Sequence, residues 1–172
     1  MKTFLLIGIV GCVSVASMLG QTDSKLGVVL RSDQETYSIK SDIRLTITRE
    51  NQGQHDLLIP RQLGWGGMRT NIRVFDAKGH EIQTDFLADE LPPPPRPYDF
   101  ILLEPSEFFG TKIRAGAKEF VNAPGEYDLV VEYTSYLPED CAREAMKMPA
   151  VPFWSRERGT IISNRIRIHI AE

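Results

Sequence analysis

Between Ile39 and Thr48 the sequence alternates with a period of two. The odd positions read Ile39, Ser41, Ile43, Leu45 and Ile47, and the even positions read Lys40, Asp42, Arg44, Thr46 and Thr48. Successive side chains of a strand point to opposite faces, whereas a helix would scatter this set around its circumference. The segment is therefore committed to a sheet with one buried and one wet face. Leu129, Val131 and Tyr133 alternate in the same way with Asp128, Val130 and Glu132. Near the C-terminus Ile162, Ile166, Ile168 and Ile170 oppose Ser163, Arg165, Arg167 and His169, which predicts a closing strand of the same kind.

Weaker strands fill the intervals. Leu26, Val28 and Leu30 predict an opening strand, and Asp56 to Ile59 follows the turn Asn51-Gln52-Gly53-Gln54 and stops at Pro60. Asn71 to Phe75 and His80 to Thr84 flank Asp76-Ala77-Lys78-Gly79, a hairpin whose glycine supplies the positive φ of a bulged turn. Phe100 to Leu103 and Phe109 to Ile113 flank Glu104-Pro105-Ser106-Glu107. Pro92 to Pro97 lacks the donors of an interior strand and reads as a stiff polyproline connector. Pro138 to Met148 is the one good helical segment, with Glu139 and Asp140 in its first turn and Leu137, Cys141, Ala145 and Met148 on one side, a spacing that predicts burial of Cys141. Short strands without βαβ alternation predict an all-β, antiparallel sandwich with one short helix in a late loop.

The chain has 172 residues, 42% of them hydrophobic, which suits one globular domain. Lys2 is followed by an apolar run from Phe4 to Leu19, the pattern of a secretory signal with cleavage after Ser17 or Gly20. Residues 1–20 are then a signal peptide and 21–172 a single β-sandwich domain, periplasmic or extracellular. Cys12 sits in a lipobox-like stretch, Ile9-Val10-Gly11-Cys12. Membrane attachment would come only through a lipidated Cys12 or an uncleaved leader. Cys141 is left without a pairing partner, so the fold is expected to stand without a disulfide. With 20 Lys and Arg against 23 Asp and Glu, no basic field exists over the whole chain to hold nucleic acid.

The segment Ala123-Pro124-Gly125-Glu126-Tyr127-Asp128-Leu129-Val130-Val131 resembles the Pro-Gly-x-Tyr entry into a late strand of immunoglobulin-like and fibronectin type III-like sandwiches. The resemblance implies an immunoglobulin-like fold in which the Tyr127 hydroxyl bonds back to upstream backbone as a structural corner. The antibody-type cysteines and core tryptophan are absent. Over Ser38 to Val131 the order of an Asn turn, the hairpin Val74-Phe75-Asp76-Ala77-Lys78-Gly79-His80-Glu81-Ile82, the step Leu103-Glu104-Pro105-Ser106-Glu107 and the Pro-Gly-x-Tyr corner is similar to the bacterial intracellular proteinase inhibitor family. That resemblance implies a protein-binding inhibitor, with Arg61 to Met68 or Leu87 to Tyr98 as inserting loops.

No GxSxG elbow, P-loop, HExxH, EF-hand loop or CxxC pair occurs. Cys141 would need His55, His80 or His169 beside it to act as a nucleophile. The carboxylates Asp85, Asp89, Glu90 and Glu139, Asp140, Glu144 lack a calcium-loop pattern, so no metal or other cofactor is expected. Trp65 stands among glycines, and Phe153 and Trp154 precede the last strand. Rigid aromatics at strand ends serve either as anchors for a protein or glycan ligand or as plugs over an open core. Arg165 and Arg167, with His169, form a stripe that either meets an acidic partner or guards a sheet edge. The sequence thus predicts a non-catalytic, secreted binding module using Trp65, Trp154, Phe153, Arg165 and Arg167. The alternatives are a proteinase-inhibitor-like domain and a structural cell-envelope module with no small ligand.

Overall fold

The computed structural model describes residues 24–63, 70–82, 96–146 and 151–172. The leader, Trp65, the carboxylates Asp85, Asp89 and Glu90, prolines 92–95 and Met148 lie outside them. In chain order the strands are β1 (Leu26–Ser32), β2 (Thr36–Ser38), β3 (Asp42–Asn51), β4 (Leu57–Pro60), β5 (Thr70–Asp76) and β6 (Glu81–Ile82). Then follow β7 (Phe100–Leu103), β8 (Phe108–Gly116), the single-turn helix α1 (Ala117–Phe120), β9 (Gly125–Thr134), the helix α2 (Glu139–Met146), β10 (Thr160–Ile162) and β11 (Ile166–Ala171).

The strands assemble into a sandwich. One sheet has the order β1-β3-β8, and the other has the order β2-β11-β9-β5-β6, with β10 also paired to β9. All pairs are antiparallel except β2 with β11, which runs parallel. The alternating residues meet between the sheets: Leu26, Val28, Leu30, Ile43, Leu45 and Ile47 from the first face Ile72, Val74, Leu129, Val131, Ile168 and Ile170 from the second, all buried. Burying an aliphatic side chain of this size stabilises by about 1.5 to 3 kcal/mol, so this seam is the main source of stability.

A third, two-stranded sheet pairs β4 with β7. Every residue of β4 is buried because both of its faces are covered. Leu57 and Ile59 enter the main core, while Leu58 joins Phe100, Tyr136, Leu137 and Phe153 in a second cluster, against which Cys141 packs half-buried. An unbroken apolar run is what burial on two faces requires.

Three sequence expectations change. The chain turns at residues 39–41, so the alternating strand begins at Asp42, and its buried face runs on past Ile47 to Arg49 and Asn51, both fully buried. The expected closing strand from Ile162 is broken. Ser163 Oγ accepts the Val131 N–H at 2.9 Å and the Asn164 side chain bonds both Leu30 N–H and O, so the chain leaves the ladder there. As a result Ile162 is exposed and Ser163 is buried. Pro97 opens a 3-10 turn, Pro97–Asp99, whose preceding Arg96 N–H is held by Asp99 Oδ2 at 2.8 Å.

The β5–β6 hairpin closes as its chemistry requires. Asp76 Oδ1 accepts the N–H groups of Lys78 and His80, each at 2.8 Å, and Gly79 takes φ 81°. At the entry to β9 the Tyr127 hydroxyl donates to Ala123 O at 2.8 Å. Burial raises the phenol's pKa. Tyr127→Phe removes this bond and leaves the carbonyl without its donor, which should cost about 1 kcal/mol in urea unfolding with the far-ultraviolet circular dichroism unchanged.

Candidate functional site

Arg49 continues the apolar face of β3 into the space between the sheets, where its side chain is wholly buried. Its Nη1 donates to Pro60 O at 2.5 Å and lies 3.4 Å from the Tyr133 hydroxyl, and its Nη2 donates to Arg61 O at 2.9 Å. The guanidinium also sits 5.6 Å from the Phe109 ring and 5.5 Å from the Tyr133 ring. Among the described residues no carboxylate pairs with it, and Nε is unpartnered. Two carbonyl dipoles and two ring faces thus take the place of a counter-ion. Burial raises the Tyr133 phenol's pKa, with Arg49 pulling it the other way.

This contact fixes the exit from β4. Arg61 in turn donates its backbone N–H to Asp99 O at 2.6 Å and its Nε to Tyr98 O at 2.9 Å. Thr70 Oγ1 donates to Leu63 O at 2.7 Å, joining the described residues on either side of 64–69. The flanks of the two loop segments singled out by the sequence, Arg61 to Met68 and Leu87 to Tyr98, therefore meet at one end of the sandwich. Tyr98 projects there, 60% exposed, with its hydroxyl held by Arg96 Nη1 at 2.7 Å and its ring 5.7 Å from the same guanidinium. An exposed aromatic held by a cation, on a base pinned to the core, is equipped to contact a ligand with little ordering cost.

The predicted aromatic tips fare differently. Phe153 is 2% exposed and Trp154 8%, so neither presents a surface. The reason is strand-like pairing: Leu58 N–H donates to Pro152 O at 2.8 Å and Trp154 N–H to Leu58 O at 2.9 Å, placing 152–154 beside β4. Phe153 then turns to the second cluster, edge-on to Phe100, and Trp154 to the main core. Sequence reasoning missed Arg49, although counting on by two from Ile47 reaches it. Nothing local marked Arg61, Arg96 and Tyr98 as neighbours, because the chain between them is long.

Arg165 and Arg167 do come together, around Asp128. Arg167 Nε and Nη2 donate to the two Asp128 oxygens at 2.8 and 3.1 Å, and Arg165 Nη1 lies 3.5 Å from Oδ2. The Arg165 guanidinium also covers the Phe75 ring at 4.9 Å. The Arg167 bonds hold the Asp128 carboxyl below the usual carboxylate range, against the opposing effect of burial. Across the same face Arg73 bonds Glu81 and Glu132, which raise its pKa, and His169 Nδ1 lies 2.7 Å from Glu126 Oε1. A groove of about 620 Å³ beside β11 is lined by Glu35, Glu126, Arg167 and His169, again acid against base. The stripe is neutralised within its own sheet, and β11 is flanked by β2 and β9 instead of forming the edge.

His80 pairs with Asp76, and Cys141 packs on the second cluster, so the structure does not assemble a cysteine–histidine pair from these residues. Among the described residues no three His, Cys, Asp or Glu side chains gather as a metal site, and Arg143 pairs with Glu139 at the start of α2. Among the described residues no helix is long and apolar enough to cross a membrane.

No protein-family model matches this sequence, and no curated protein matches it. Solved structures with a similar arrangement include a β-glucosidase from Erythrobacter marinus, at 12% identity and a TM-score of 0.42, covering 86% of this chain and 16% of that one. A mutant β-glucosidase from Listeria innocua in complex with laminaribiose is similar at 10% identity and 0.42, covering 87% and 16%. A CARDB domain from Pyrococcus furiosus, in complex with di-metal ions, is similar at 9% identity and 0.40, covering 87% and 94%. The chain thus spans about 16% of the length of the glucosidases, and at these scores the likenesses assign it no activity.

The Asp128 cluster has a pH signature. A carboxyl whose pKa is depressed on folding contributes stability that is present above its unfolded value, about 3.9, and is lost as pH falls through the folded value. Asp128→Asn should therefore be less stable than wild type at neutral pH. The gap in urea midpoint should narrow as the pH is taken below about 4, where the unfolded carboxyl is protonated, and close once the pH has fallen through the lower folded value.

Proposed function

We propose that this protein is a non-catalytic binding module of immunoglobulin-like type, exported to the periplasm or beyond, that recognises a protein or glycan ligand through the sandwich end carrying Arg61, Arg96 and Tyr98. The observation that carries this reading is Tyr98, a large aromatic left 60% exposed while its hydroxyl and ring are held by Arg96. Isolated exposed aromatics are ordinary, but one fixed by a cation and seated on backbone pinned to a buried arginine is preorganised for contact. The apolar leader supports export. The bonded pair Tyr127 and Ala123 supports the immunoglobulin-like assignment within the sandwich class.

A structural envelope module is the second reading, favoured by the burial of Phe153 and Trp154, which removes two of the predicted anchors. Affinity capture from envelope and culture-supernatant extract separates the two. A partner retained by wild type and lost by a folded Tyr98→Ala, Arg96→Ala double variant is the expected result. Equal recovery by both proteins would favour the structural module.

A further inference from the structure

The outer face of the β1-β3-β8 sheet differs from its counterpart in how its charges are disposed. Paired residues share a face, so the register lays out its rows. Arg31, Thr46 and Lys112 form one row and Arg44 with Arg114 the next, while Val29, Thr48 and Gly110 lie on the other side of the first row. Adjacent strands are about 4.8 Å apart and same-face residues about 6.8 Å apart along a strand, so four cations stand within a patch roughly 10 Å by 7 Å at their Cα atoms.

Two features set this patch apart. Arg44 lies directly opposite Arg114, a like-charge cross-strand pair that costs stability. Each recruits one carboxylate: Arg44 lies 3.7 Å from Asp33, and Arg114 Nε bonds Asp42. Arg31, Lys40 and Lys112 form no ion pair among the described residues. Four cations of the face and Lys40 in the adjoining turn stand against Asp33, Asp42 and, at the far end of the face, Glu50, which leaves a local positive excess in a chain whose formal net charge is −3. Beside them a cleft of about 340 Å³ is lined by Gln34, Lys40, Ser41, Asp42, Arg44 and Arg114. Its floor is fixed by the Tyr37 hydroxyl, which accepts the Gln34 N–H at 3.2 Å and bonds Asp33 and Ser32.

We infer that this face and cleft bind an acidic polysaccharide, a chain of sugar units bearing carboxylate or sulfate groups. The cations meet the acidic groups, and the amide of Gln34 and the hydroxyl of Ser41 suit the sugar hydroxyls. The small side chains of Thr46, Thr48 and Gly110 leave the middle of the sheet flat enough for an extended polymer. An anionic membrane is less well matched, because Phe108, the apolar side chain most exposed on this face, stands opposite Glu50 and away from the cations. This surface is distinct from the Tyr98 end, and the inference does not rest on the preceding proposal.

The test is titration of the protein with polygalacturonate and with a size-defined heparin-type oligosaccharide, using neutral dextran, phosphatidylglycerol vesicles and polyglutamate for comparison. At least one acidic polysaccharide should bind, dextran should not, and affinity should fall steeply with added salt. Arg44→Glu, Lys112→Glu should weaken binding at least about tenfold while Lys78→Glu, in the β5–β6 hairpin, leaves it unchanged. Arg31→Gln, Lys112→Gln provides a milder variant should the reversal disturb the fold. Absence of binding to both acidic polysaccharides would overturn the inference. So would affinity unchanged in the folded variants, or tighter binding to vesicles or polyglutamate.

Discussion

The guanidinium of Arg49 is the contact on which the Tyr98-bearing end of this sandwich depends. A cation taken out of water without a counter-ion is expensive, and it persists only where surrounding dipoles replace its hydration. Here β3 supplies the charge, β8 and β9 supply the Phe109 and Tyr133 rings, and the end of β4 supplies the Pro60 and Arg61 carbonyls. One side chain therefore ties both large sheets to the third. Asn51, two residues on, does the same with neutral chemistry: its amide donates to His55 O and Leu103 O at 2.8 and 2.9 Å. The backbone that leaves β4 is thereby held as part of the core, and Arg61 carries that order outward to Tyr98 and Asp99.

The two exposed sheet faces resolve their charges in opposite ways. On the larger sheet every strong cation has an acid beside it on the same or a neighbouring strand, as with Arg73 between Glu81 and Glu132. Such pairs stabilise modestly, because they are solvated, and they leave little field to act on a partner. On the smaller sheet a like-charge cross-strand pair is retained and the lysines of the patch remain without partners among the described residues. That asymmetry, more than the net charge of the chain, locates where an anionic partner would be drawn.

Period-two alternation made β1, β3, β9 and β11 legible in the sequence, because an apolar side chain returns to the core at every second residue. The Pro-Gly-x-Tyr resemblance placed Tyr127 at its corner, and the helical spacing of Leu137 and Cys141 placed α2 in its late loop. What the alternation concealed came from burial on two sides and from polar groups in apolar positions. Phe153 and Trp154 read as loop residues because their strand-like pairing is to Leu58, far back in the chain. Arg49 stayed outside the alternating pattern because it is charged, and its aromatic and carbonyl partners come from β8, β9 and the end of β4. Ser163 read as exposed because its hydroxyl substitutes for a backbone partner, which no local pattern records.

Native-state hydrogen exchange on the wild type beside Arg49→Met tests most directly whether this one buried cation makes the Tyr98-bearing end continuous with the core. In the wild type the Arg61 amide, bonded to Asp99 O, should open with the same free energy as the Leu129 and Val131 amides of β9, that is, only on global unfolding. In Arg49→Met it should open locally while β9 remains closed. An Arg61 amide that already exchanges by local opening in the wild type, or one whose protection follows β9 equally in both proteins, would contradict the account.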